Sequence, residues 1–187
     1  VNFNMFQFAT ATNGPGWPNP PHSTFLFRTL LTNTSFKNDF INRYNDLLNT
    51  SFSVARTSTV IDSIVGIIQP EMDKHIQRWS SPGTIQDWNW EVDRIRNFTN
   101  ARTSIVRDQL QQFFNFPGYF NLKVKNPNID AGTVFVNRLE IKNQEWDGMY
   151  AQQIPIKVKA QAEQGFRFVG WSGSIVSDLE EITVQSS

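Results

Sequence analysis

Cysteine is absent from the 187 residues. That excludes disulfides, thiolate metal sites and cysteine nucleophiles. Histidine is scarce, with His22 and His75 the only two. A histidine-rich metal centre is therefore not expected. An excess of charge of either sign is also missing, since 17 Lys and Arg balance 17 Asp and Glu. Nucleic-acid binders carry a basic excess to neutralise phosphates, so this balance argues against such a partner. Long apolar runs are missing too. Ile64 to Ile68 is the longest and is interrupted by Gly66. It falls far short of the roughly 18 apolar residues of a spanning helix, and no membrane span is expected. The opening Val1-Asn2-Phe3-Asn4 has neither a basic nor an apolar leader region. It reads like the middle of a domain, so we expect a piece of a longer protein.

Aromatics are plentiful: 16 Phe and 6 Trp. They bury large areas, and tryptophan adds a polar edge. Proline and glycine crowd Asn13 to Pro21, which predicts an irregular loop over Val1 to Pro21. Trp17, Phe3, Phe6 and Phe8 of that loop are expected to pack on helices. Helical periodicity begins after Pro21. Phe25, Leu26, Leu30 and Leu31 share one face. Ser35 is the expected N-cap of a second helix, with Phe36, Phe40, Tyr44, Leu47 and Leu48 as its apolar stripe. A third helix from about Ser53 to Gln69 places Val60, Ile61, Ile64, Val65 and Ile68 inside. Pro70 either kinks it or starts a further helix through Trp79. After the break at Ser80 to Gly83, a long helix runs from about Ile85 to Phe114. Its expected buried side is Trp88, Val92, Ile95, Phe98, Ile105, Leu110 and Phe113.

The period changes at Asn115-Phe116-Pro117-Gly118. Phe120, Leu122 and Val124 alternate, then Val134 and Val136, then Ile154, Ile156, Val158 and Ala160, and Ile182 to Val184 closes the series. Period two means half-buried strands. The expectation is an α+β chain: residues 1–116 form a helical region and residues 117–187 a small all-β, sandwich-like module.

Motifs that carry chemistry are few. Glu71 and His75 share a helix face without a third ligand and read as an exposed pair. Gly170-Trp171-Ser172-Gly173 lacks the spacing of a nucleophile elbow and reads as a turn. Gly14-Pro15-Gly16 is not followed by Gly-Lys-Ser/Thr, and proline removes donors a phosphate loop needs. Asp178, Glu180 and Glu181 read as a solvated strand end. The arginines of the long helix read as partners of Glu91, Asp93 and Asp108. The Asn-x-Ser/Thr triplets at Asn33, Asn49 and Asn97 read as chance.

Three stretches carry a resemblance. They are Phe36 to Phe52, Pro70 to Trp79, and the long helix with Trp88, Ile95, Phe98, Arg102 and Val106. In this order and spacing they resemble the CotH kinase-like family. Ala9 to Pro18 resembles its versions in large exported bacterial proteins. The resemblance implies an atypical protein kinase that moves phosphate from ATP, with magnesium, to surface proteins. Its nucleotide lysine and two aspartates would lie upstream of Val1. No position here matches them, so no catalytic, cofactor or metal residue is assigned to this chain. The helices would be the distal part of the kinase C-lobe, with the upstream lobe as their partner. The implied location is the cell surface or another extracytoplasmic place in a bacterium.

Ile156 to Ala162 and Gly165 to Gly173 resemble a divergent InlB-type β repeat, as do Gly132-Thr133-Val134 and Trp146 to Tyr150. Such modules are spacers or adhesion units. Trp146, Tyr150 and Trp171 are the candidate contacts for a glycan or surface partner. The competing reading, that these rings are core, is the one the residues favour.

Overall fold

The structure, a computed structural model, describes residues 2–12 and 22–186. The proline-rich run around Trp17 lies outside the described residues. The fold is α+β, with six α-helices preceding six antiparallel strands among the described residues. Its packing forms two compact units. One comprises Val1–Asn4 and Thr50–Gln109, the other Met5–Asn49 and Leu110–Ser187. The switch from helix to strand falls at residues 115–118, whereas the division by packing follows other lines.

The first unit holds α4 (Val54–Ile68), a 3-10 turn (Gln69–Glu71), α5 (Met72–Trp79) and most of α6 (Ile85–Phe114). Local chemistry sets each boundary. Ser53 caps α4 by accepting the Arg56 N–H at 3.3 Å. Pro70 sits in the 3-10 turn, where a missing N–H costs nothing. Ser80 takes a left-handed conformation and ends α5 by donating its N–H to Ile76 O at 2.8 Å. Thr84 and Asp87 cap α6 reciprocally. Asp87 N–H donates to Thr84 Oγ1 at 3.1 Å, and Thr84 N–H donates to Asp87 Oδ2 at 2.9 Å. Met72, Val92 and Val106 are buried, but the expected interior of α4 is not. Val60, Ile64 and Ile68 are exposed, and so are Ile95 and Phe98 of α6. Periodicity reports that a helix has an apolar face, not that something covers it. Arg94 pairs with Glu91 at 2.8 Å as expected, while Arg96 reaches across to Asp62 on α4 at 2.7 Å.

The second unit opens with α1 (Met5–Thr10), where the sequence predicted irregular chain. The helix forms because Phe6 is the hub of an aromatic cluster. Its ring lies 5.1 Å from Tyr44, 5.7 Å from Phe113 and 6.0 Å from Phe114. Phe8 is half-buried and Phe3 exposed. In α2 (Phe25–Leu30) the packed residue is Phe27, 5.3 Å from Phe40. The expected face is wrong here, since Phe25 and Leu26 point to solvent. α3 (Thr34–Asn49) is capped by Asn33 rather than Ser35, through the Phe36 N–H at 3.0 Å.

The strands follow. β1 (Tyr119–Lys125) pairs with β4 (Glu145–Ala151) as a two-stranded sheet. β2 (Gly132–Val136), β3 (Leu139–Ile141), β5 (Ile156–Ala162) and β6 (Glu181–Val184) form a second sheet in the order β3-β2-β5-β6. The consecutive strands β1 and β2 thus belong to different sheets, and the 126–131 turn crosses between them. Both sheets feed one core of Leu122, Val124, Val134, Val136, Ile141, Tyr150, Ile156 and Val158. In β5, Ile156, Val158 and Ala160 face in while Lys157 and Lys159 face out, as period two requires. Gly170 and Gly173 have positive φ, and Trp171 bridges back to Ser177. This segment is a turn.

Candidate functional site

Chemistry-bearing side chains concentrate on one stripe of α3. Asn42, Asn45, Asp46 and Asn49 recur at spacings of three and four, which places them on one helical face. Polar residues in that pattern ordinarily mark solvent. Here Asn42, Asn45 and Asp46 are buried alongside Ile41 and Leu48. Buried polar groups are retained only with partners, and the sheets supply most of them. Asn42 Nδ2 donates to Pro155 O at 2.7 Å. Asn45 instead bonds back to Ile41 O within the helix, at 3.0 Å. Asn49 engages Met149 twice: Nδ2 donates to its carbonyl at 3.0 Å and Oδ1 accepts its N–H at 3.1 Å.

Asp46 is the charged member. Its Oδ1 accepts the Tyr150 hydroxyl at 2.7 Å and the Asn137 amide at 3.1 Å. Asn137 sits at positive φ between β2 and β3. Its Oδ1 accepts the Lys157 N–H at 3.2 Å and its own N–H donates to Lys157 O at 2.7 Å. One residue thereby ties β5, the β2–β3 turn and α3 together. Burial raises the Asp46 carboxyl above its ordinary value of 3.8. The bonds from Tyr150 and Asn137, and the charges of Arg43 and Arg138, oppose that rise without cancelling it.

The sequence-derived candidates are placed differently from one another. Tyr150 is fully buried and is spent on Asp46. Trp146 is half-buried, 6.0 Å from the Tyr150 ring. Its indole covers Gly148 so closely that a Cβ there would collide with the ring. Trp171 is half-buried, 5.3 Å from Phe168, and donates Nε1–H to Leu179 O at 2.9 Å. All three rings pack within or against the same core. The sequence marks Asn49 only as a chance Asn-x-Ser/Thr triplet, and it does not mark Asn42, Asp46 or Asn137. The signal for the three on α3 is their polar spacing, which also fits a wetted face; Asn137 has none.

Other features are simpler. His75 Nε2 lies 2.9 Å from Ser81 O, and Glu71 pairs with Lys74 at 3.1 Å. The Asn33 and Asn49 side chains of the triplets are engaged in a helix cap and the Met149 contact. A cavity of about 340 Å³ is lined by Thr10, Arg28, Leu31, Lys37, Phe113 and Phe114. Arg28 is held beside it by Ala11 O at 3.1 Å and Thr24 Oγ1 at 3.3 Å. Among the described residues no single helix is long and apolar enough to cross a membrane. Among them, too, no three His, Asp or Glu side chains gather as a metal would require.

Comparison with curated proteins and with solved structures gives no match. The family model described as CotH kinase protein matches residues 4–106, more than half of the 187. The match takes in α1 to α5 and most of α6, and stops before the strands. On that match the chain belongs to the CotH kinase protein family.

Proposed function

We propose that this chain is a non-catalytic, C-terminal part of an exported CotH-type protein, whose upstream kinase-like lobe seats on the helices of residues 50–109. One observation carries the reading. Helix α4 is rich in Val and Ile, yet none of its residues is buried. Ile64 is 50% and Ile67 75% exposed. Covering one such side chain contributes about 1.5–3 kcal/mol, so an apolar helix face left bare is a seat for a partner. In this reading ATP, magnesium and the attacking hydroxyl are handled by the upstream lobe, and surface or spore-coat proteins receive the phosphate. The strands act as a spacer or adhesion unit of the InlB-repeat kind.

The chain incubated with ATP, magnesium and a protein acceptor should transfer no phosphate. Mixed with the separately produced upstream lobe, it should form a complex that Ile64→Glu with Ile67→Glu abolishes. Robust turnover by the chain alone would overturn the proposal. So would a complex indifferent to those two substitutions.

A further inference from the structure

The contact between α3 and the sheets has a charged residue at its centre. Asp46 is 1% exposed. Both of the donors described for it, the Tyr150 hydroxyl and the Asn137 amide, converge on the same oxygen, Oδ1. A carbonyl-type oxygen has two lone pairs, so a neutral acid can keep both bonds, each weaker than it is to a carboxylate. Protonation leaves this geometry intact, and ionisation adds an enclosed negative charge. We propose that Asp46 is a pH-responsive joint: neutral, it holds α3 on β4 and the β2–β3 turn, and ionised, it loosens that seat.

The groups facing Asp46 come from each element around it. Arg43 lies on α3 itself, Arg138 beside the β2–β3 turn, and the Tyr150 phenol on β4. The guanidiniums and both hydrogen bonds favour the ionised form, and desolvation outweighs them. The folded state therefore keeps a proton that the unfolded chain releases near pH 3.8. The resulting stabilisation is complete below that pH and is lost as pH rises through the higher, folded value. Most buried, paired carboxylates behave in the opposite sense. Asn49 reports on the joint, because it lies one turn beyond Asp46 on the same face and holds the Met149 N–H.

Amide hydrogen exchange across a pH series reads this directly. After correction for intrinsic rates, protection at Met149 should fall with rising pH in the wild-type chain. The fall should approach about tenfold per pH unit within the window where only the folded state holds the proton. In Asp46→Asn the amide oxygen still accepts both donors, but this position no longer ionises, so the fall of protection with rising pH should be absent. An unchanged slope in Asp46→Asn would overturn the proposal, as would a flat wild-type profile. If Asp46→Asn folds poorly, the wild-type carboxyl carbon shift of Asp46 serves instead. Its titration must mark the pH at which the fall of Met149 protection levels off, and a mismatch overturns the joint.

Discussion

Asn49 meets Met149 as a neighbouring strand would, with a donor on the carbonyl at 3.0 Å and an acceptor on the amide at 3.1 Å. β4 pairs with β1 on one side only, so these backbone groups face away from the ladder. A side-chain carboxamide has the same donor and acceptor as a peptide group. Asn49→Ala should cost about 1–2 kcal/mol, since a net hydrogen bond contributes roughly 0.5–1.5 kcal/mol and the site is partly open to water. Asn49→Asp keeps only the acceptor and should fall between the two. Urea unfolding of the three chains checks the order.

Tyr150→Phe removes the shorter of the two bonds to Asp46 and leaves the ring in the core. A cost of about 1–3 kcal/mol is expected, because a buried acceptor loses its donor. That bond opposes the rise of the Asp46 carboxyl. Its loss should therefore carry the pH-dependent fall in stability to higher pH. Thermal melts of wild type and Tyr150→Phe, at matched pH values from acid to neutral, test the direction. Combined with Asp46→Asn, the two substitutions should not be additive, since they share one contact.

Thr84→Ala removes half of the reciprocal cap on α6 and should destabilise by about 0.5–2 kcal/mol. Thr84→Ser retains the hydroxyl and should cost little. The comparison isolates the cap from the loss of a methyl group.

Ile64→Glu with Ile67→Glu should change the stability of the chain by no more than about 0.5 kcal/mol each, because neither side chain is buried. The same pair should lower the fluorescence of a dye that binds exposed apolar surface. Unfolding curves and dye titration separate these outcomes. A large loss of stability would mean that α4 is part of a core.

Trp171→Ala should destabilise the strand region by less than the roughly 3–5 kcal/mol of a fully buried ring. It also removes the bond to Leu179 that closes the 170–179 turn. If Trp171 instead serves a glycan, Trp171→Ala should abolish array binding while melting is unchanged. Trp146→Ala makes the parallel comparison.

Much of the helical order is legible in the sequence, because caps and breakers are local. Ser53, Pro70 and the Ser80 to Gly83 break act within a turn of where they stand, and α6 spans the residues its periodicity predicts. α1 is not legible, since its six residues are helical for the sake of the ring cluster around Phe6, whose partners are distant in sequence. β3 and β4 are similarly hidden. β3 has three residues, too few for a pattern, and β4 alternates around Gly148. The Asp46 contact is the least legible. A stripe of Asn and Asp has the same spacing whether it meets water or backbone, and only the fold decides which. The change of period near Pro117 marks where one element type gives way to another. It carries no information on which helices the strands will pack against.

The Asn49–Met149 contact also bears on association between molecules. A bare strand edge is a template for a strand from another chain. On β4 the Met149 N–H and carbonyl are already taken, so an incoming strand must first displace Asn49. One helix residue thus works as a guard against edge-to-edge aggregation, a task its place on α3 would not suggest.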